Sequence, residues 1–212
     1  MRRVVVKLGG STAFSPEMRE WIDALAASTV PLVLVPGGGP FADAVRQAQS
    51  QMAYSDRAAH FMAILAMEQM ALALLETSAR LAPARAIGDM EVLLEQGRIP
   101  VWLPSQMCLA ATAIPQSWEA TSDSLAAWLA AEIDAETLLL IKQTNAFDPR
   151  ASVEDLVRAG IVDTMLPQML AADVSLHLAG PSALASARAK LVAGQLPGVE
   201  IVSRGNAVRG AA

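Results

Sequence analysis

Short apolar runs alternate along this chain with longer segments in which apolar residues return every three or four positions. The runs at Val4–Leu8 and at residues 32–35 have almost no polar position, which is typical of parallel strands buried on both faces. Because each run is only about five residues long, a strand is favoured over a helix. The pattern predicts strands at residues 4–8, 32–35, 99–103, 137–141, 174–178 and 199–202.

The segments between these runs carry the start signals and the spacing of helices. Ser15 and Pro16 form a helix start, and Trp21 and Leu25 follow on one face at helical spacing. Asp56 is placed to cap a longer helix. The sequence predicts helices from Ser15 onward and at residues 41–52, 56–79, 124–132 and 181–192, short helices beginning at Asp89 and after Ser152, and a loop at residues 109–117.

The repeated order of strand and helix, with short connections, determines the expected fold class. Such an order implies a mostly parallel sheet with helices on both faces. We therefore predict a three-layer α/β/α sandwich. The length of 212 residues and the hydrophobic content of 53% suit one sizeable core. We expect a single domain at residues 1–203 and a loose tail at residues 204–212.

Composition and charge exclude several classes of partner. The net charge of −5 argues against non-specific binding of nucleic acid, which needs a basic surface. The single cysteine, Cys108, excludes an internal disulfide, and we expect a cytoplasmic protein. The most apolar long segment, residues 58–75, contains His60 and Glu68, so we interpret it as a buried helix and not as a membrane span.

Two of the predicted strands run directly into clusters of glycine. Glycines at the carboxyl ends of neighbouring parallel strands let backbone N–H groups approach an anion without interference from a Cβ atom. Two such loops facing one crevice can hold a polyphosphate and an anionic acceptor together, which indicates phosphoryl transfer. The two loops consist of Gly9, Gly10 and Ser11 after the first strand, and of Gly37, Gly38 and Gly39 after the second.

Two of the three lysines also fall at strand ends. Lys7 precedes the first glycine loop, and Lys142 follows the strand at residues 137–141. A lysine is a compact positive charge that suits a phosphate. The alternative is that both are solvated lysines at strand ends. The adjoining glycines disfavour this alternative for Lys7, whereas for Lys142 both interpretations stay equally open.

Three motifs together give the chain a resemblance to the amino acid kinase family. They are Val-Lys-Leu-Gly-Gly-Ser at the start, Val-Pro-Gly-Gly-Gly-Pro about thirty residues later, and the Thr-Ser-Asp-Ser-Leu-Ala-Ala segment that begins at Thr121. Their order and spacing match along nearly the whole chain. Two further segments, at residues 56–68 and 115–123, are similar to a branch of small kinases that includes the kinase of methanofuran biosynthesis, which acts on an aminomethyl-furanylmethyl phosphate.

The resemblance implies a role for each motif. ATP would be the phosphoryl donor and Mg²⁺ would accompany it, with no metal cluster of the protein's own. Lys7 would contact the transferring phosphoryl group, and Asp123 would orient Lys7 or a second cation, or help to hold Mg²⁺; a helix cap is the alternative for Asp123. The nucleotide would be bound by Gly9, Gly10, Ser11 and Thr144, and the acceptor by Gly37, Gly38, Gly39, Arg57, His60 and Ser122.

The chain departs from the family pattern in one catalytic motif. Relatives that act on carboxylates carry a Gly-Gly-Met-x-Pro-Lys run whose lysine stabilises the transition state, whereas this chain has Gln168 at the matching position. We hypothesise that Lys142 supplies the missing charge. The departure leaves three functions open: a kinase with a small phosphomonoester acceptor, a non-catalytic relative that binds nucleotide or oxyanion, and a carboxylate kinase that forms an acyl phosphate.

Several residues of the long helix have two interpretations each. His60 could bind the acceptor or serve as a core histidine, and Arg57 could hold the acceptor's phosphate or lie on the surface. Glu68 could bind the ammonium group of a substrate or form an ion pair across an interface. The helix is apolar on more than one face, which favours a second partner. We therefore predict a homodimer, or a higher homo-oligomer, that pairs through this helix.

Overall fold

The central sheet contains seven strands in the part of the chain that the structure describes. In the computed structural model, which describes residues 3–201, they pair in the order β3-β4-β2-β1-β5-β6-β7 once numbered along the chain. The strands are β1 (Val4–Leu8), β2 (Leu32–Pro36), β3 (Leu81–Ala84), β4 (Ile99–Trp102), β5 (Thr137–Ile141), β6 (Ser175–Ala179) and β7 (Val199–Glu200).

Strand β1 lies at the centre of the sheet, between β2 and β5. All pairs are parallel except the last, in which β7 runs antiparallel to β6. In this register Lys7 stands beside Val35 of β2 and Leu140 of β5. The carboxyl ends of β1, β2 and β5 therefore meet at one edge of the sheet, as the sequence pattern predicts.

Nine α-helices and one short 3₁₀ turn connect these strands within residues 3–201. The 3₁₀ turn covers Gly10–Thr12. The helices are α1 (Pro16–Ala26), α2 (Gly39–Met52), α3 (Asp56–Leu75), α4 (Ile87–Glu95), α5 (Ser105–Ala110), α6 (Ser122–Glu132), α7 (Val153–Arg158), α8 (Leu166–Met169) and α9 (Pro181–Val192).

Both faces of the sheet are covered, so the prediction of an α/β/α sandwich with a mostly parallel sheet is confirmed. Alternate residues of β1 point into two separate cores, Val5 into one and Val4 and Val6 into the other. The core containing Val5 is closed mainly by α4, α6, α7 and α8, and the opposite core by α1 and α9.

Helix α3 contributes to both cores. Ile64 and Met67 pack in the first, and Ala71 and Leu74 in the second. By length and composition alone this helix could cross a membrane. Its packing in both cores instead supports the interpretation of a core helix.

Four differences between the predicted elements and the structure exceed a shift of one or two residues at an end. Strand β3 was not predicted, because Leu-Ala-Pro-Ala has weak strand propensity and a proline, which is tolerated on an edge strand such as this one. The long helix is capped by Ser55, not by Asp56, and ends at Leu75. Helix α5 overlaps the start of the predicted loop at 109–117, and α8 was also missed. The tail at residues 204–212 lies outside the described residues.

Candidate active site

The centre of the site is a cluster of three charged side chains at the carboxyl ends of β1 and β5. Lys7 is the fourth residue of β1, and Lys142 follows the last residue of β5. Asp123 is the second residue of α6, which packs against β1 and β5. Lys7 Nζ lies 2.8 Å from Asp123 Oδ1, and Lys142 Nζ donates to Asp123 Oδ2. One carboxylate thus pairs with two lysines that lie 135 residues apart along the chain.

Burial determines the electrostatics of this cluster. The side chains of Lys7, Asp123 and Lys142 are 8%, 5% and 14% exposed. Burial by itself raises the pKa of Asp123, but Lys7 and Lys142 outweigh it and lower the pKa to about 2. Burial, together with the charge of Lys7, lowers the pKa of Lys142 against the opposing pull of Asp123. The carboxylate is therefore ionised at neutral pH and fixes both ammonium groups.

A second aspartate, Asp163, caps the helix that carries Asp123. Its Oδ2 accepts from the backbone N–H groups of Thr121 and Ser124 at 3.0 and 2.9 Å, and from the Thr121 hydroxyl at 2.7 Å. The Ser124 hydroxyl donates to Oδ1. Asp123 is therefore not the helix cap, and its side chain is free to organise the lysines. Sequence reasoning missed Asp163 because its partners lie about forty residues away along the chain.

The two glycine loops pack directly against each other beside the lysines. A Cβ atom added to Gly10 would lie 2.2 Å from Gly39 N, and one added to Gly37 would lie 2.3 Å from Gly10 N. Gly39 also has a φ of +52°, a conformation that side-chain-bearing residues rarely adopt. Close packing of the two backbones thus requires glycine at these positions.

Not every glycine N–H is available to a ligand. The Gly9 N–H donates to Ile141 O at 3.2 Å, and the Gly37 N–H donates to Leu8 O at 2.9 Å. These two groups extend the pairing of the sheet, so the expectation that they donate to a phosphate is corrected. The glycine-loop residues that follow them line the cavity, namely Gly10, Ser11, Gly38 and Gly39.

A cavity of about 290 Å³ opens between the glycine loops, α2, α3 and the start of α6. Among the predicted site residues, its lining includes Lys7, Gly9, Gly10, Ser11, Gly38, Gly39, His60, Ser122 and Lys142. Ala63, Ile64 and Met67 of α3 and Leu125 of α6 form an apolar side of the same cavity. The volume is near the lower end of sizes typical for small-molecule sites.

One wall of the cavity was not predicted at all. The guanidinium of Arg46 lies over the indole of Trp118, with Cζ 4.5 Å from the ring centroid. Arg46 Nη1 also donates to Asp43 Oδ1 at 2.9 Å. Trp118 Nε1 donates to Gln49 Oε1 at 2.6 Å, which ties the loop before α6 to α2. Arg46, Asp43 and Trp118 all line the cavity. We call this group the Arg46 wall.

His60 is buried and lines the same cavity as the Arg46 wall. Its Nδ1 donates to the Ser117 carbonyl at 3.2 Å. Burial lowers the pKa of His60 against the opposing effect of that hydrogen bond, so the ring is neutral at pH 7. His60 thus lines the cavity and also anchors the loop that carries Trp118. It is a buried core histidine that also borders the cavity, so the two interpretations from the sequence do not exclude each other.

Besides Asp123, which holds the two lysines, three predicted site residues lie outside the lining of the cavity. The backbone of Gly37 packs on Gly10 behind it. The Arg57 guanidinium lies 5.5 Å from the centroid of the Phe61 ring. The Thr144 hydroxyl accepts from Ala146 N. The structure brings neither Arg57 nor Thr144 to the two lysines. Gln168, at the position that matches the lysine of carboxylate kinases, lines a separate groove on α8.

Glu68 also has a structural role. Its Oε1 accepts from Ser105 N at 3.0 Å, at the start of α5, and lies 3.6 Å from Arg85 Nη1. The two interpretations from the sequence, contact with an ammonium group and a pair across an interface, are replaced by a contact within the chain.

The chemistry of the donor set suits an anion better than a metal ion. Within residues 3–201, no group of three or more His, Cys, Asp or Glu side chains could hold a metal ion. Both oxygens of Asp123 are already occupied by lysines. Three cationic side chains against one carboxylate line the cavity, namely Lys7, Arg46 and Lys142 against Asp43. The arrangement can bind phosphate groups and stabilise negative charge that develops between them.

Comparisons with known proteins identify a curated relative. The kinase of (5-(aminomethyl)furan-3-yl)methyl phosphate from Methanocaldococcus jannaschii is 27% identical over 141 residues. That alignment covers 64% of this chain and 63% of the relative, so it spans less than two thirds of the relative's length.

Two solved structures share the fold. Uridylate kinase from Archaeoglobus fulgidus superposes with a TM-score of 0.69 at 19% identity, covering 95% of this chain and 100% of the other. UMP kinase from Ureaplasma parvum superposes with a TM-score of 0.59 at 12% identity, covering 85% and 90%. A family model for amino acid kinases matches residues 2–152, which is more than half of the chain. The chain belongs to the amino acid kinase family.

Proposed function

We propose that this protein is an ATP-dependent kinase that transfers the γ-phosphoryl group to a small phosphomonoester acceptor. The observation that carries the proposal is the buried cluster in which Asp123 holds Lys7 and Lys142 beside the facing glycine loops. Burying two ammonium groups costs free energy, because burial disfavours the ionised form of each. A need for their positive charge in the reaction would explain why the fold keeps both. Membership of the family supports phosphotransfer.

In the proposed reaction, the two lysines stabilise negative charge on two different groups. An oxygen of the acceptor's phosphate attacks the γ-phosphorus, the bond to the β,γ-bridging oxygen breaks, and ADP leaves with that electron pair. We propose that Lys7, at the centre of the sheet edge, contacts the transferring group. Lys142, on the β5 side, would neutralise the charge that grows on the departing β-phosphate. Asp123 acts by positioning both ammonium groups.

Mg²⁺ would enter with the nucleotide. Mg²⁺ is commonly bound through substrate phosphates with few protein carboxylates, which fits a site in which no free carboxylate cluster is present among residues 3–201. When bound, it would neutralise charge on the β- and γ-phosphates. The protein's own residues would bind and orient the phosphates.

The nucleoside has a suitable place beside β5 and β6. A groove of about 350 Å³ is lined by Asn145, Phe147, Gly180, Ser182 and Lys190, among others. Asn145 lies three residues beyond Lys142, and its Oδ1 accepts from the Ser182 N–H and hydroxyl at 3.1 and 2.7 Å. We place the nucleoside in this groove, with its phosphates reaching Lys142 and the first glycine loop.

The acceptor that we propose first is an aminomethyl-furanylmethyl phosphate, as in methanofuran-type cofactor synthesis. The support is the 27% identical relative whose name gives that substrate. The size of the cavity and the apolar side formed by α3 are compatible with a small ring that carries one phosphate. A cytoplasmic location accords with such a biosynthetic role.

The test is transfer of the γ-phosphoryl group from ³²P-labelled ATP to this phosphomonoester by the wild type and by Lys7→Met. Methionine keeps the packing volume of the buried lysine stem but removes its charge. We expect diphosphate product from the wild type and a loss of about 10²–10³ in kcat for Lys7→Met, with binding of ATP retained. Equal kcat in both proteins would exclude Lys7 as the catalytic cation.

The second candidate is a non-catalytic relative that binds nucleotide or oxyanion on the same fold. The observation in its favour is Gln168, a neutral residue outside the cavity at the position where carboxylate kinases have a lysine. Binding of ATP by the wild type without transfer to any phosphate acceptor would select this candidate. Transfer to a carboxylate instead of a phosphate would select the acyl phosphate kinase.

We also propose that α3 forms the contact of a homodimer. Its exposed apolar side chains, Met62, Leu65 and Leu72, are 38%, 48% and 56% exposed and recur at helical spacing. Sedimentation of the wild type at micromolar concentration should give the dimer mass. The double variant Leu65→Glu and Leu72→Glu should sediment as a monomer, and a monomeric wild type would reject the proposal.

A further inference from the structure

We propose that Arg46 reads the phosphate of the acceptor, within a site whose kinase role rests on the function proposed above. Arg46 lies on α2, which follows the glycine loop of β2, whereas Lys142 follows β5. Because β1 separates β2 from β5 in the sheet, the two cations border opposite sides of the cavity. The acceptor therefore meets Arg46 on the side away from the nucleotide.

The contacts of Arg46 fix its plane and leave donors available. The guanidinium Cζ lies 4.5 Å from the centroid of the Trp118 ring, and Asp43 Oδ1 accepts from Nη1 at 2.9 Å. An arginine has five N–H donors in a planar fork, so stacking on a ring does not block the bonds that lie in the plane. Arg46 is 57% exposed at its side chain, which keeps the remaining donors accessible from the cavity. Such a fork matches two oxygens of a phosphate.

The surroundings of Arg46 are arranged to hold it in place before a ligand binds. Trp118 is itself fixed by its hydrogen bond to Gln49, and its loop is fixed by the bond from His60 to Ser117. An arginine that is held in its binding geometry loses less side-chain entropy when the ligand arrives. A surface arginine that served only solubility would need none of these supports.

Arg46 also suits the acceptor better than the other cations do. Lys7 and Lys142 are both paired with Asp123, and the function proposed above assigns them to the transferring group and to the departing β-phosphate. His60 is neutral at pH 7 because burial lowers its pKa. The apolar side chains of Ile64 and Met67 line the same cavity and suit the body of a small phosphomonoester. The acceptor class is therefore a compact phosphomonoester, and Arg46 is its specificity-determining residue.

The experiment measures binding and turnover separately, with benzyl phosphate as the probe for equilibrium binding. We expect Arg46→Gln to weaken the binding of benzyl phosphate by about tenfold or more, the loss typical of a charge-assisted hydrogen bond, with binding of ATP unchanged. Arg46→Lys should recover part of the affinity. In turnover assays with the phosphomonoester acceptor, Arg46→Gln should raise KM far more than it lowers kcat.

Two other arginines serve as comparisons. Arg19→Gln removes an exposed charge on α1, where Arg19 pairs with Asp23, and should change neither constant. Arg57→Gln removes an arginine that lies over Phe61 outside the cavity lining and tests the assignment made from the sequence. A loss of affinity in Arg57→Gln but not in Arg46→Gln would overturn the proposal. Equal losses in Arg46→Gln and Arg19→Gln would overturn it as well.

The outcomes separate this inference from the kinase function. If the wild type binds benzyl phosphate through Arg46 but transfers nothing, the inference stands and the proposed function fails. If the wild type phosphorylates its acceptor and Arg46→Gln keeps the KM of the wild type, the inference fails and the function stands. An effect on thermal stability alone, with Kd and KM unchanged, would show that Arg46 only pins the Trp118 loop to α2.

Discussion

Two groups of charged side chains border the same cavity, and they are held in opposite ways. The cluster of Lys7, Asp123 and Lys142 is almost fully buried, and each charge is fixed by another. The pair of Arg46 and Asp43 is more than half exposed, at 57% and 75%. Buried pairs depend strongly on each partner, whereas exposed pairs contribute little to stability. The difference teaches that the fold depends far more on the pairing within the first group than on the pairing within the second.

The largest expected effect follows from removing the carboxylate between the lysines. Asp123→Asn leaves two buried ammonium groups without their counter-charge, so we expect the free energy of unfolding to fall by about 3 kcal/mol or more. kcat should fall together with it. Denaturant unfolding and turnover of the same preparation measure both.

The matched control for Asp123→Asn is Asp23→Asn. Asp23 pairs with Arg19 at 3.5 Å on the surface of α1, where its side chain is 54% exposed. This control should change the free energy of unfolding by less than about 1 kcal/mol. If both variants lost the same amount, the contrast between the buried cluster and an exposed pair would not hold.

The second effect concerns the lysine on the β5 side. Lys142→Ala removes charge needed mainly in the transition state, so kcat should fall by about 10² while the Kd of ATP changes only a few-fold. Stopped assays and equilibrium binding measure the two quantities. Since Gln168 lies in a separate groove, Gln168→Lys should not restore the activity of Lys142→Ala. Restoration by that change would return the catalytic role to position 168.

The sequence predicted the lysines, the glycine loops and Asp123 because each belongs to a local motif beside a strand or helix end. It predicted most elements for the same reason, since β1, β5 and α9 have periodic patterns with clear boundaries. It could not show that Lys142 and Lys7 share one carboxylate, because that contact depends on the order of strands in the sheet.

The Arg46 wall was missed for a different physical reason. Arg46 lies in the middle of an amphipathic helix with no glycine or strand end beside it, so its pattern resembles that of a solvated residue. Its partner Trp118 lies 72 residues further along the chain. The one local signal was Asp43, three residues before Arg46, which is the spacing of a helical ion pair. That spacing is common on surfaces and indicates no function by itself.

Acid provides a third way to distinguish the two groups. The pKa of Asp123 is lowered to about 2 from its ordinary value of 3.8, so its ionisation stabilises the fold above pH 4. That contribution should be lost as the pH falls from about 4 to about 2. Unfolding curves of the wild type and Asp123→Asn over this range should converge at the acid end. Parallel curves would mean that the lysines do not hold the carboxylate in its ionised form.

The smallest expected effect belongs to the exposed pair. Asp43→Asn removes the edge contact of Arg46 but leaves its stacking on Trp118, so the guanidinium keeps its plane. An exposed pair three residues apart on a helix contributes about 0.3–0.5 kcal/mol, which corresponds to about a twofold change in an equilibrium constant. We therefore expect a shift of that size in the free energy of unfolding, and a similarly small change in KM for the phosphomonoester, without a change in kcat. Thermal denaturation and steady-state kinetics measure these values. A tenfold change in KM would show that Asp43 contacts the acceptor itself, and that the wall recognises a positive group on the ligand as well as its phosphate.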